Sequence, residues 1–469
     1  MSGSKRFYVF FLTVATLFFT RCLFLDAMFK IAVETTAENG KIVISYKDAA
    51  GTARAASARI VKNGRASARI WADEMTELNL SPPAGTQIAS VKIAGDKKSV
   101  FRDMGALSSQ TFKPAAHFDF KVFLLLGFLC FCLWHTVVNG AKPFDDKVPA
   151  MMNMEFLRLV FTFGIVVYHL TERLDVANEG WLGVEFFFIL SGFFMMLTFD
   201  PARSTFDFAK SKIIHFVPLL LLCAFLGKAK LVPVVSNVLF LQSTGLSDDV
   251  VPPQSWFLAV LFWVSLFYFY MMKICNIQSN RLIFALLTFF SYAACRHFGW
   301  DGMIGGVFSV RLLRGVAGIG LGYFTASLYL AFQKRKPANA LFCTIAEIAL
   351  TLYAAAIVFV KGACPENKIF AVVCFAGLIL LFGMKQGAVS RFFNRPFFAK
   401  ISACSFAIYM THWFLEMDVV LHWYKRFSFL QQHNGFVIAG TVLLSWVLGV
   451  FVHKYVEKPA AAFLKRKWK

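Results

Sequence analysis

The sequence predicts an all-α polytopic membrane bundle of about twelve transmembrane helices, with a small extracytoplasmic β-domain inserted after the first helix. Three observations predict this class. Of the 469 residues, 58% are hydrophobic and only 16% are charged, whereas soluble domains carry about 25% charged residues. Apolar runs of about 20 residues, the length that crosses a bilayer, recur along most of the chain. One long polar segment, residues 30–118, interrupts these runs with short stretches of alternating hydrophobicity.

The first apolar run covers residues 7–25 and follows Lys5 and Arg6. No small-residue cleavage site follows it, so we expect an uncleaved transmembrane anchor within residues 1–29 rather than a signal peptide. Residues 30–118 contain Asn-Gly turn signals and runs in which apolar and polar residues alternate, which is typical of a small antiparallel β-domain.

The remainder of the chain is predominantly apolar. We predict a second transmembrane helix and a linker over residues 119–150, the main membrane domain over 151–460, and a basic tail over 461–469. The predicted spans after the anchor lie near residues 119–138, 156–173, 181–199, 213–228, 255–272, 282–296, 307–331, 339–360, 369–384, 401–420 and 436–453. Residues 231–242 are apolar but short, and form either a re-entrant segment or a further element.

The formal charge of +21 comes from 48 basic residues against 27 acidic ones. The basic residues lie mainly between alternate apolar runs, which is the pattern of basic cytoplasmic loops. This places both termini in the cytoplasm and residues 30–118 outside it. Basic cytoplasmic loops account for the positive net charge without a nucleic-acid partner, and we predict none.

Ionisable side chains at membrane depth are costly and mark functional candidates. Arg158 and His169 are eleven residues apart, so on a helix they project within about 20° of each other and stand about 16 Å apart along the axis. Arg158 is predicted near the cytoplasmic end and His169 in the outer half. Lys210, Lys212 and His215 follow on the cytoplasmic side, where with Arg158 they form a basic patch suited to a phosphate-bearing donor.

Other candidates lie at the depth of His169. Glu172 is one turn beyond it, and Glu185 enters with the next span. An imidazole oriented by a carboxylate is a plausible acid–base site for transfer to a hydroxyl, so His169, Glu172 and Glu185 are the predicted catalytic residues. Arg311 and Arg314, one turn apart, either bind an anionic group of the acceptor or serve as structural counter-ions, and Glu185 is alternatively their ion-pair partner.

Structural interpretations compete with several of these roles. Trp256 is either an interfacial anchor or a platform on which a sugar stacks. His412 is expected to pack or to make hydrogen bonds within the bundle. The His-x-x-Glu spacing of His169 and Glu172 fits a carboxylate metal site, but such a site needs further ligands on facing helices, so we predict no metal.

Several motifs resemble the membrane-bound acyltransferase-3 family, and they occur in its order over about residues 150–460. The Arg-x10-His helix is followed by the segment GVEFFFILSGF at residues 183–193. Further matches are NVLFLQ at 237–242, SWFL at 255–258, RG and GLGY within 314–323, IYMTH at 408–412 and VEKP at 456–459.

The resemblance implies a ten-helix core that transfers an acyl group, commonly acetyl from acetyl-CoA, to a carbohydrate or a lipid-linked glycan. It implies that His169 is the catalytic histidine and that Arg158 helps to bind the acyl-CoA donor. Leu261 stands where members often have an acid, and Lys210, Lys212 and His215 stand where arginines are common. Lysine lacks the planar fork with which arginine grips phosphate.

We therefore expect an acyl-CoA-dependent O-acyltransferase of a bacterial-type inner membrane. Its expected partners are membrane lipid, a glycan or lipid-linked saccharide acceptor, and proteins of envelope polysaccharide biosynthesis. A transporter or flippase of a lipid-linked glycan is the alternative, because intramembrane charges also serve transport. The absence of a second copy of the Arg158–His169 pattern favours the enzyme. In a third possibility, the β-domain is the working part and the membrane region is a scaffold.

Overall fold

The computed structural model describes residues 25–48, 51–61, 64–72, 74–95, 98–103, 105–113, 115–118, 150–174, 179–227, 229–243, 251–304, 308–360, 362–364 and 367–468. The predicted anchor up to residue 24 and the predicted span at 119–138 lie outside these residues. The chain divides into two compact units, Met1–Phe131 and Cys132–Lys469, and each is described by itself.

The first unit contains the predicted antiparallel β-domain. Its strands are β1 (Leu25–Thr35), β2 (Lys41–Lys47), β3 (Ala53–Val61), β4 (Arg65–Trp71), β5 (Thr76–Ser81), β6 (Ile88–Ala94), β7 (Lys98–Phe101) and β8 (Ala115–Phe118), with a one-turn helix at Gly105–Ser108. The strands follow the order β5-β2-β3-β4-β1-β6-β7, and β8 also pairs with β1. Every pairing among them is antiparallel.

Alternation of side chains explains the core of this sheet. Phe29, Ile31 and Val33 on β1 are buried, as are Ile42 and Ile44 on β2, and the intervening residues face outward. β1 begins at Leu25, before the predicted domain boundary at residue 30. The apolar run at 7–25 predicts that Leu25 belongs to the anchor, whereas its pairing with Phe118 on β8 makes it part of a strand.

The described part of the second unit is helical. Its helices are α1 (Met152–Arg173), α2 (Gly183–Leu197), α3 (Thr205–Leu226), α4 (Leu231–Val238), α5 (Trp256–Ile274), α6 (Ile277–Phe298), α7 (Val310–Gln333), α8 (Ala340–Phe359), α9 (Ile369–Met384), α10 (Ala388–Phe393), α11 (Pro396–Ser402), α12 (Ser405–Phe414), α13 (Leu421–Arg426), α14 (Ser428–Gln432), α15 (Asn434–Val452) and α16 (Lys458–Lys467). Short 3₁₀ turns precede α2 and α5, π-helical segments follow α12 and α15, and a two-stranded ribbon, β9 (Met303–Ile304) with β10 (Phe308–Ser309), precedes α7.

Within the described residues, seven helical segments are long and apolar enough to cross a membrane. Predicted spans 282–296, 369–384 and 401–420 are also helical but are not among the seven. The last of these is not one continuous helix: α11 ends at Ser402, α12 begins at Ser405, and a π-helix follows at Leu415–Val420. The total of twelve spans and the orientation stay predictions.

Small residues bring α2 and α7 into close contact at the centre of this unit. A side chain at Gly192 would overlap the Ile319 carbonyl oxygen, and one at Gly322 would overlap the Ile189 carbonyl oxygen. Such close backbone approach is a common role of small residues between membrane helices. It fixes the position of α2, which carries Glu185, against α7, which carries Arg311 and Arg314.

Candidate active site

Helix α1 carries both Arg158 and His169. Arg158 lies against α2, with its guanidinium carbon 5.6 Å from the centre of the Phe194 ring. His169 lies against α12, with its ring centre 5.4 Å from that of His412. Both predicted site residues therefore contact other helices of the bundle.

Two histidines meet at the second of these contacts. The imidazoles of His169 and His412 are stacked with 27° between their planes. The Trp413 ring meets His169 edge to face at 5.6 Å. His169 is half-buried, whereas His412 is completely buried. The sequence predicts one catalytic histidine on α1. The structure places a second, fully buried histidine beside it, so the site is more enclosed than predicted.

The protonation of His412 follows from its hydrogen bonds. Its Nδ1 lies 2.7 Å from the Tyr409 carbonyl oxygen and 3.3 Å from that of Ile408. A carbonyl oxygen only accepts, so Nδ1 carries the proton of the neutral ring, and in that ring Nε2 carries a lone pair. Nε2 is buried and has no hydrogen-bond partner among the described residues.

A reciprocal pair of bonds holds α12 in place. The Tyr409 hydroxyl donates to the Gln254 carbonyl oxygen at 2.8 Å, and the Gln254 amide donates to the Tyr409 and Met410 carbonyl oxygens at 3.2 and 3.1 Å. Ser255 donates to Asn237 at 2.8 Å. These contacts explain why the motifs around residues 237, 255 and 409 occur together: they join α4, α5 and α12.

Glu185 forms a buried ion pair with Arg314. The carboxylate accepts from Arg314 Nε at 2.6 Å, and the two side chains are 0% and 5% exposed. The guanidinium also donates to the Trp300 carbonyl oxygen and lies over the Trp181 and Trp256 rings, at 5.0 and 5.1 Å from their centres. Arg314 thus fits the structural counter-ion alternative more closely than the role of binding acceptor.

The pairing matches the alternative prediction for Glu185, in which it is the ion-pair partner of an arginine. Among the described residues, its carboxylate bonds to Arg314, and no hydrogen bond joins it to His169. Depth along the bundle made a contact with His169 feasible, but the carboxylate turns toward the guanidinium that compensates its charge. The side chain of Glu172 lies outside the described residues, so its orienting role stays a prediction.

Arg311 is more accessible than Arg314. It forms a two-pronged pair with Asp301, at 2.7 and 2.9 Å, and donates to the Ser243 hydroxyl at 3.1 Å. Its guanidinium also lies 5.1 Å from the centre of the half-buried Trp256 ring. Partial burial of Asp301 is outweighed by the hydrogen bonds and charge of Arg311, so the pKa of this carboxyl is lowered.

A basic cluster lies at the other end of α1. Arg158 donates to Glu155 at 2.7 Å, and both of these side chains are 35% exposed. Arg158 lies close enough to Lys212 and His215 on α3 for its charge to disfavour a positive charge on either side chain. The structure therefore brings together three of the four residues that were predicted to bind the donor.

The C-terminal part of the chain contributes to the same cluster, which sequence reasoning missed. Lys465 and His453 lie within electrostatic range of His215. Glu457 accepts from His453 at 2.8 Å and lies 3.8 Å from His215, which explains the acid of the terminal VEKP motif. Lys210 is on α3, two residues before Lys212, and its ammonium group bonds to the Trp468 carbonyl oxygen.

Two buried carboxylates were also missed. Glu416 lies one turn after His412 in the π-helical segment and is 0% exposed. Glu347 on α8 is 0% exposed and accepts from the backbone of Gly387 and from the backbone and hydroxyl of Ser390, at the start of α10. Glu347 is thus structural, whereas Glu416 lies in an irregular helix next to the histidine pair, a type of segment frequent at functional sites.

The family assignment agrees with this arrangement. Residues 152–452 match the model of the acyltransferase-3 family, described as an acyltransferase domain. The chain belongs to the acyltransferase-3 family, and it is a membrane acyltransferase of several apolar helices with an N-terminal β-domain. No curated protein matches the chain.

Proposed function

We propose that this protein is an integral O-acyltransferase of a bacterial-type inner membrane. It transfers an acyl group, acetyl in the simplest case, from cytoplasmic acyl-CoA to a hydroxyl of an exported or lipid-linked envelope glycan. One observation carries the proposal: helix α1 runs between a basic cluster, to which it contributes Arg158, and an enclosed imidazole pair, to which it contributes His169. The two ends suit a phosphate-bearing donor and a hydroxyl acceptor, respectively.

The donor end binds through charge. Arg158, Lys212 and Lys465 supply cations for the phosphates of acyl-CoA, with His215 beside them. Arginine contacts phosphate through two parallel N–H groups, while lysine acts as a point charge. Lys210, two residues before Lys212 on α3, contacts Trp468, so we expect the tail at 461–469 to contribute to donor binding.

The acceptor end performs the transfer. The acceptor oxygen attacks the thioester carbonyl carbon, and a C–O bond forms while the C–S bond breaks. The hydroxyl proton passes to His169, and the leaving thiolate of coenzyme A takes up that proton. An imidazole suits this exchange because its ordinary pKa lies near neutral pH. Arg311 lies 5.1 Å from the centre of the half-buried Trp256 ring, and we expect these two side chains to contact the acceptor glycan.

The orientation follows the basic loops, with both termini in the cytoplasm and the β-domain outside. In this orientation the β-domain shares the acceptor's compartment and helps to hold the glycan. Proteins that make or export the envelope polysaccharide are the expected partners.

The test is acyl transfer by the purified full-length chain in liposomes, supplied with radiolabelled acetyl-CoA and a glycan extract. We expect His169→Ala to abolish transfer, and His422→Ala, an exposed histidine on α13, to leave it unchanged. Full activity of His169→Ala would remove the mechanism. Flipping of a lipid-linked glycan with no acyl transfer by the wild-type chain would favour the flippase alternative.

A further inference from the structure

The uncommitted lone pair of His412 needs a ligand. His412 is fully buried, and its Nδ1 proton is committed to the Tyr409 carbonyl oxygen. The remaining nitrogen, Nε2, is buried without a hydrogen-bond partner among the described residues. A buried polar atom left unpaired costs about 1–3 kcal/mol. A role in packing alone would not need this nitrogen, because a phenylalanine side chain has a similar shape.

The ligand must be a hydrogen-bond donor. Nε2 is an acceptor because the proton of the neutral ring is on Nδ1. A charged His412 is disfavoured, since it would place an unpaired cation in the bundle and beside His169, which becomes positive during transfer. His412 therefore acts as a neutral acceptor, and His169 takes the proton.

The geometry of the pair indicates which donor fits. The centres of the two rings are 5.4 Å apart and their planes are inclined by 27°, so the imidazoles are stacked. A ligand that presents its reacting hydroxyl to His169 has its next group within reach of His412. Adjacent hydroxyls on a sugar ring supply such a pair of donors.

We propose that His412 Nε2 accepts a hydrogen bond from the hydroxyl next to the one that is acylated. The acceptor is then a saccharide with two adjacent free hydroxyls, and His412 selects which of them reacts. This inference rests on the proposed function, because it assumes that His169 is the site of hydroxyl attack. His412 is on this account a binding residue that determines specificity.

Two variants separate this role from a structural one. The amide nitrogen of His412→Asn takes the place of Nδ1 and keeps the bond to Tyr409 but removes the acceptor at Nε2. The amide oxygen of His412→Gln takes the place of Nε2 but loses the bond to the backbone. A structural role predicts that H412N is normal and H412Q is impaired, and our proposal predicts the reverse.

The assay uses the full chain in liposomes, acetyl-CoA, and methyl β-D-glucopyranoside with its monodeoxy derivatives as soluble probes. We expect H412N to raise KM for the glycoside about tenfold, the value of one hydrogen bond at its upper range, with KM for acetyl-CoA unchanged. One deoxy derivative should show the same loss with the wild-type chain and no further loss with H412N, as expected when both changes remove one contact. His422→Ala is the control.

Several results would overturn the inference. They are normal KM values for H412N, a rise in KM for acetyl-CoA instead of the glycoside (which would assign Nε2 to a donor amide), or equal losses on every deoxy derivative. A wild-type chain that acylates none of the glycosides contradicts the saccharide acceptor of the proposed function, and this inference with it. If the wild-type chain acylates the glycosides and H412N acylates them equally well, this inference is refuted but the proposed function is not.

Discussion

Replacing Glu185 by glutamine tests how the buried ion pair stabilises the bundle. The substitution keeps the shape of the side chain but leaves the Arg314 side chain, only 5% exposed, without a compensating charge. Removing one partner of a buried pair costs about 3–5 kcal/mol. The amide oxygen still accepts from Nε, so we expect the lower end, about 3 kcal/mol of unfolding free energy.

The measurement is unfolding of the detergent-solubilised full chain, followed by tryptophan fluorescence. Trp181 and Trp256 report locally, because both rings contact Arg314. Asp301→Asn is the matched control: it breaks the pair of the neighbouring arginine, but Asp301 is 64% exposed, and such pairs contribute about 0–1 kcal/mol.

A double variant supplies the second arm. Glu185→Leu with Arg314→Met removes both charges and keeps the volume, so it should recover most of the stability that either single change loses. Equal stability of the Glu185→Gln and Asp301→Asn variants would refute the reasoning. So would a double variant less stable than both singles.

Three further predictions follow from other parts of the structure. Gly192→Ala should destabilise the chain by overlap with a carbonyl of α7, whereas Gly440→Ala, with open space around it, should not, as thermal unfolding will show. Arg158→Ala and Lys212→Ala should each raise KM for acetyl-CoA about tenfold or less, with a weaker dependence on salt than the wild-type chain, because each removes a cation from the donor cluster. Because the pKa of Asp301 is lowered, its ion pair adds stability above the ordinary pKa of aspartate, and that stability is lost as pH falls through the lowered value. The difference in melting temperature between wild type and Asp301→Asn should therefore shrink on acidification.

Local patterns predicted the elements of this protein well. Alternating runs at 41–46, 68–71 and 87–93 predicted the β-domain, and the apolar runs predicted the helices of the second unit. The helical phase of Arg158 and His169 predicted that both face the bundle, which their contacts with Phe194 and His412 support. Each of these inferences depends on neighbours along the chain.

Pairings between distant segments could not be predicted in the same way. From the sequence, the partner of Glu185 could be either His169 or an arginine. The close approach of α7 to α2 in the structure shows that the partner is Arg314. A charged residue at membrane depth is also ambiguous, because it can be either structural or part of a reaction site. Glu347 is structural, since its carboxylate accepts hydrogen bonds from the start of α10. His412 gained its significance from the adjacent ring and not from its motif.

The mass of the envelope glycan tests the central claim most directly. Glycans from cells with the wild-type chain, with His169→Ala, and with His422→Ala are to be compared by mass spectrometry at matched protein levels. We predict a species heavier by one acyl group with the wild-type chain and His422→Ala, and its absence with His169→Ala. The same acylated species with His169→Ala would contradict the account.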